Sequence, residues 1–158
     1  MDDRSRLLFD QLRSLDLPAG DFAVFGSGPL IVRGIIEPGN DLDVISRGPA
    51  WTMAAAVGEV IDLPEFGVAI ASLSDGAITI GTEWAIGDFD IDELIDTAEV
   101  IDSIPFVRLE HVAAYKRIAG RPKDRSHLEQ LARYQARTPA GSLPGPPVEE
   151  ERCPLNNT

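Results

Sequence analysis

The sequence predicts a mixed α/β (α+β) domain, a small mixed β-sheet with helices packed on it. Three observations lead there. About four short apolar strands and five or six helices are intermixed along the chain rather than gathered into blocks. The chain has 158 residues, the size of one domain, and 44% of them are apolar, enough for a real core. The strand–helix units are too few for a large doubly wound sheet.

Each element has its own signal. In residues 4–15 (RSRLLFDQLRSL), Leu7, Leu8, Leu12 and Leu15 recur at helical spacing, and Pro18 and Gly20 stop the helix. Phe22 to Phe25 is the first apolar strand, interrupted by Gly26, Ser27, Gly28 and Pro29. Leu30 to Ile36 predicts a buried helix whose first turn begins near Ser27 or Gly28; Pro29 is tolerated there because its missing N–H is not needed. After a turn at 37–40, Asp41 to Ser46 alternates as a strand, with Leu42 and Val44 facing one way and Asp41 and Asp43 the other. Residues 50–57 predict a short helix. Val68 to Ser72 and Ala77 to Gly81 predict two strands around a two-residue Asp75-Gly76 hairpin loop. Residues 91–98 are helical, with Ile91, Leu94, Ile95 and Ala98 on one face. Glu110 to Ala119 is a helix broken by Gly120-Arg121-Pro122, and Asp124 reads as the N-cap of a last helix to about Tyr134. Residues 138–158 hold 5 of the 12 prolines and predict a tail without a packed core, which leaves 1–137 as the folded domain.

Lys and Arg total 14 against 26 Asp and Glu, a net charge of −12. Such a surface argues against a long nucleic acid as partner. The exception is the segment 108–137, with eight basic and three acidic side chains, which could hold an anion that the rest of the surface repels. The single cysteine, Cys153, allows no internal disulfide and fits a reducing cytosol. The N-terminus is charged at once, and no apolar run approaches membrane-spanning length, so a cytoplasmic protein without a membrane partner is expected.

Two features carry candidate chemistry. Gly26-Ser27-Gly28 lies at a strand-to-helix junction, where glycines let the backbone approach a ligand, amides can hold phosphate and Ser27 adds a donor. Taken by itself, such a sequence is equally a plain turn. Asp41 and Asp43, two apart on a strand, share a face. Two such carboxylates repel, and a divalent cation such as Mg²⁺ relieves them; the plain alternative is a solvated strand edge after a turn. In the basic segment, Lys116 has Val112 and Ala119 four before and three after it on the apolar face. It therefore points inward and must find an anion or snorkel to water. Arg33, inside an apolar run, reads as a structural pair with Asp41, Asp43 or Glu37, with a phosphate as the alternative.

The stretch FGSGPLIVRGIIEPGNDLDV, from Phe25 to Val44, resembles the nucleotidyltransferase superfamily of the DNA polymerase β-like fold, in which a Gly-Ser turn opening a helix precedes a D-x-D pair on the next strand. LEHVAAYKRIAGRPKDRSHLEQLARY, from Leu109 to Tyr134, is similar to the helical end of small bacterial members, in which a helix with a lysine is followed by Gly-Arg-x-Lys-Asp; Lys116, Arg121, Lys123 and Asp124 stand at those positions. The two blocks and the segment between them span about residues 20–135, and the nearest resemblance is to toxin–antitoxin, abortive-infection and uncharacterised single-domain members. The resemblance implies a mixed sheet with helices on one side. It implies an NTP cosubstrate with Mg²⁺ or Mn²⁺, and transfer of a nucleotidyl group to a hydroxyl or a phosphate. Asp41 and Asp43 would be the catalytic metal ligands, and Gly26, Ser27, Gly28, Lys116 and Lys123 would hold the nucleotide. It also implies a third carboxylate on a later strand.

The chain departs from that pattern at the strand 77–81, AITIG, whose polar side chain is Thr79. Glu83 just beyond it, Asp62 in the preceding loop, or no residue at all takes the third place. His127 is another departure, since relatives often carry an acid near the start of the last helix; a surface residue is its plain reading. Two function classes follow: a nucleotidyltransferase with an unnamed acceptor, or a catalytically weak protein of the same fold acting as an antitoxin-like or regulatory partner. A homodimer or a partner protein would supply what a single chain lacks.

Overall fold

The computed structural model describes residues 3–65, 68–82 and 89–137. Helix α1 (Asp3–Ser14) is followed by β1 (Phe22–Phe25), a single turn of helix α2 (Gly28–Ile31), β2 (Leu42–Ser46), α3 (Gly48–Val57), β3 (Glu59–Leu63), β4 (Val68–Leu73) and β5 (Ile78–Gly81). Then come α4 (Ile91–Asp96), β6 (Glu99–Ile101), β7 (Ile104–Phe106), α5 (Leu109–Ala119) and α6 (Pro122–Arg137). The strands form one mixed sheet in the order β3-β4-β5-β2-β1-β7-β6. β1 pairs antiparallel with β2 and parallel with β7, and β2 pairs parallel with β5. The remaining pairs are antiparallel.

This is the mixed α/β architecture expected, with a larger sheet. β3, β6 and β7 were not legible, and the reason is physical. β3 is an edge strand whose five residues are exposed or half-exposed, so EVIDL shows no buried face. β6 and β7 have three residues each, too short for a period of two to show. The helices also lie on both faces of the sheet, not one. Val24 pairs with Phe106, whose ring meets Phe9 of α1 edge-on at 5.6 Å. Phe25, the next residue, faces the opposite way and packs on Tyr115 of α5 with ring centroids 5.0 Å apart. α3 rests on β4 and β5, where Ala71 and Ile80 are fully buried.

Three local expectations change. The helix expected over 30–36 ends at Ile31, because Gly34 takes a left-handed φ of 73° and accommodates a turn. The Asp75-Gly76 loop is a 3-10 turn over Ser74–Gly76 with Ser74 and Asp75 also at positive φ, so the hairpin connection is longer than two residues. Asp124 is not an N-cap. Pro122 opens α6, and Asp124, two residues on, reaches back to accept from the Arg121 backbone N–H at 3.2 Å, the returning arm of a capping box.

Arg33 is structural, with a different partner from those expected: its guanidinium, 1% exposed, donates to Glu99 of β6 at 2.7 Å and to the Pro29 carbonyl at 2.7 Å. This holds the segment after α2 against the far edge of the sheet. At the opposite end of the strands Arg47 gathers Asp92 and Asp96 of α4, at 2.8 and 2.6 Å, and Asp21. The expected tail, 138–158, lies outside the described residues. No described helix is long and apolar enough to cross a membrane.

Candidate functional site

The antiparallel pairing of β1 with β2 puts the end of β1 and the start of β2 at the same end of the sheet. Phe25 stands opposite Asp43 in that register. The chain leaving β1 turns at Gly26, whose φ of 65° favours glycine. A Cβ there would lie 3.0 Å from an Asp43 carboxylate oxygen, so the glycine lets that carboxylate lie against the backbone. Ser27 sits at the N-cap position of α2, yet its side chain makes no capping bond. Its Oγ instead accepts from Lys116 Nζ at 3.2 Å.

Gly28 is needed for another reason than ligand approach. A Cβ at that position would sit 2.3 Å from Val24 Cγ1, on a strand residue with no exposure. The glycine seats α2 on β1. Gly28→Ala is accordingly expected to cost about 1–3 kcal/mol through overpacking. A urea midpoint equal to that of the wild type would refute this. The bulkier Gly28→Val cannot serve as a clean probe of phosphate binding.

Asp41 and Asp43 both line one narrow polar notch of about 60 Å³, together with Gly26, Ser27, Gly28, Tyr115, Lys116, Arg121 and Lys123. Every residue expected from the sequence to form the site is therefore in one place, although the glycine turn and Lys123 are nearly a hundred positions apart. Asp41 is exposed and Asp43 half-buried. Burial, and then the charge of Asp41, push the Asp43 carboxyl above its ordinary value, against the pull of Lys123, Arg121 and Lys116. Among the described residues neither carboxylate has a hydrogen-bond or ion-pair partner. Two acceptor-only groups side by side without a direct hydrogen-bond or ion-pair partner fit a hard divalent cation with oxygen preference. No third His, Cys, Asp or Glu completes a cluster able to hold a metal among the described residues.

The candidates for a third carboxylate fare differently. Asp62 is not in a loop but on the exposed edge strand β3, separated from β2 by β4 and β5. Glu83 lies outside the described residues. Thr79 is the direct neighbour of Asp43 across the β2–β5 pairing. Neighbouring strands run about 4.8 Å apart, so the Thr79 side chain stands beside that of Asp43 on the same face.

The basic side of the notch is built on α5 and α6. Lys116 is 1% exposed, as its place on the apolar face of α5 requires. Its buried anion is Asp124, at 3.3 Å and itself 0% exposed. Asp124 also accepts from Arg121 Nε at 2.6 Å and Nη2 at 3.2 Å. Burial alone would raise the Asp124 carboxyl, but the Arg121 hydrogen bonds and the Lys116 charge outweigh it and hold the group below the usual carboxylate range. Burial pulls the Lys116 ammonium below its ordinary value in spite of Asp124, with Arg121 and Lys123 adding to the same effect. Lys123 and Arg121 remain exposed at the rim.

The residue the sequence reading undervalued is His127. It is half-buried, and its Nδ1 lies 3.1 Å from Lys116 Nζ. The signal that would have found it is its spacing from Asp124: three positions on a helix place both side chains on the face turned to α5.

Compared with known proteins, the chain matches no family model, no curated protein and no solved structure.

Proposed function

We propose that this protein binds a nucleoside triphosphate together with a divalent cation, as the nucleotidyltransferase superfamily it resembles in sequence does. One observation carries the reading. Residues from three separate parts of the chain, the 26–28 turn, the Asp41/Asp43 pair and the 116–123 cations, line a single notch. An acidic pair facing a basic wall across a small gap suits a group that is both anionic and metal-bound. A volume of about 60 Å³ suits phosphate oxygens and an ion, whereas whole-ligand pockets run to about 300–1,000 Å³. The base and sugar would then lie beyond the notch. Asp41 and Asp43 would hold the Mg²⁺ or Mn²⁺, whose charge would screen the phosphates and polarise them. Lys123 and Arg121 would face the phosphates from the rim.

A specific observation favours a second reading, a weakly catalytic or inactive protein of this type acting as a regulatory partner. The residue beside Asp43 is Thr79, a neutral hydroxyl. Both readings share the nucleotide site and differ in turnover.

The site is tested by calorimetric titration of a non-hydrolysable NTP with and without Mg²⁺, on the wild type and on Asp43→Asn. The wild type is expected to bind about tenfold or more tightly with the metal, a gain of about 1.4 kcal/mol. Asp43→Asn is expected to lose that gain. Equal affinity in all four arms would defeat the proposal.

A further inference from the structure

An ammonium has three protons to donate and no acceptor. Lys116 has three acceptors around it: Ser27 Oγ at 3.2 Å, Asp124 Oδ1 at 3.3 Å and His127 Nδ1 at 3.1 Å. In this arrangement it is fully committed, and no proton is left for an anion in the notch that it lines. An ammonium can only donate, so with Lys116 charged the His127 nitrogen facing it is assigned as the unprotonated one and the proton of the neutral ring to Nε2. His127 does not line the notch; it stands behind Lys116.

We propose that His127 is a positioning residue that controls, through its own protonation, whether Lys116 serves an anion in the notch. The neutral imidazole takes one Lys116 proton and draws the ammonium back from the cleft. When Nδ1 gains a proton it can no longer accept. It then faces Lys116 as a like charge at hydrogen-bond distance, and the lysine proton it held is released to turn toward the notch. The added positive charge acts in the same direction. Acidification therefore strengthens anion binding, and an anion in the notch strengthens proton binding at His127. The two effects are reciprocal by linkage.

Charged groups act on the ring from both helices and the turn between them. α5 supplies Lys116, the α5–α6 turn supplies Arg121, and α6 supplies Lys123 and Asp124. Burial, and then Lys116, keep the imidazole below its ordinary value, with Asp124 opposing them, so the ring is neutral near pH 7. Arrival of an anion offsets the surrounding cations and raises it.

This inference rests on the notch being an anion site, as the nucleotide reading requires, but its test needs neither nucleotide nor metal. Sulfate is the probe, because its charge is constant between pH 5 and 8. The chain has two histidines, so the second, His111, which faces Glu93 at 3.8 Å, is an internal control. Imidazole proton NMR on the wild type, titrated with pH with and without sulfate, is expected to show the His127 midpoint rising by about one unit and His111 unmoved. A nearby opposite charge shifts a pKa by about 1–3 units. Correspondingly, sulfate affinity should rise about tenfold from pH 7.5 to 5. In His127→Gln, whose amide oxygen accepts from Lys116 at every pH, that rise should shrink to the part that protonation of Asp43, which also lines the notch, contributes. His127→Asn is the second variant if the first folds poorly, and the wild-type NMR titration needs no variant. A His127 midpoint indifferent to sulfate, a pH profile unchanged in the variants, or no sulfate binding between pH 5 and 8 would each overturn the inference. Sulfate coupling without any NTP affinity would leave it standing and remove the nucleotide reading. NTP–Mg²⁺ binding with an uncoupled His127 would do the reverse.

Discussion

Asp124→Asn is expected to cost about 3–5 kcal/mol of folding stability, because it removes one partner of a buried ion pair and leaves the other behind. Asp124 has no exposure and takes four donors: Lys116 Nζ and three N–H groups of Arg121. An amide of the same shape offers one oxygen, and its NH₂ opposes donors. Arg121 is partly exposed and can return to water; Lys116, at 1% exposure, cannot. The sign with pH follows from the lowered carboxyl. This contribution is fully present above the unfolded aspartate's ordinary value and is lost as pH falls through the folded one. At pH 7 the variant should melt roughly 10 °C or more below the wild type. Replacing both partners, as Lys116→Met with Asp124→Leu, should recover much of the loss, since no lone charge is then buried. A single variant melting within about 2 °C of the wild type would show that the pair does not hold the α5–α6 hairpin closed.

The same pair shows where sequence reasoning stops. That Lys116 points inward was legible from Val112 and Ala119, because helical periodicity assigns a face. Its partner was not, because an acid near the start of a helix reads first as a cap. The capping function and the charge function of Asp124 coexist, one oxygen accepting from the Arg121 backbone and the other from Lys116. The convergence of 26–28, 41–43 and 116–123 on one notch is not a local property: strand and helix spacing place Asp41 beside Asp43 but say nothing of Lys123. Arg33 was legible as buried, since it interrupts an apolar run, whereas Glu99 was hidden on a three-residue strand with no readable period. The reach of local pattern is a few residues, and β5–β2–β1–β7 adjacency is not a local property.

Intrinsic nucleotidyl transfer by the wild type is expected to be low or absent, and Thr79→Asp is expected to raise it. The register sets Thr79 beside Asp43, and Ser72 of β4 beside Thr79 in turn. The next positions on that face are thus hydroxyls, which are not bases at neutral pH. An acceptor hydroxyl entering there keeps its proton during attack, and general-base assistance is typically worth about 10²–10⁴-fold in rate. A carboxylate at 79 would restore an acceptor for that proton at the right strand position. It would also place a third negative charge near a pair that already pushes the Asp43 carboxyl upward. Thr79→Asp should consequently bind free anions more weakly and divalent cations more strongly than the wild type. The trial is α-labelled NTP with Mg²⁺ or Mn²⁺ and a panel of hydroxyl and phosphate acceptors, read as label transferred. Gain of labelling in Thr79→Asp, absent when Asp43→Asn is added, is the expected result. Strong wild-type labelling that Glu83→Gln abolishes would overturn it and would assign the third carboxylate to Glu83. A Thr79→Asp protein that binds the metal more tightly yet transfers nothing would favour the regulatory reading, in which nucleotide occupancy itself, and not a covalent product, is the signal.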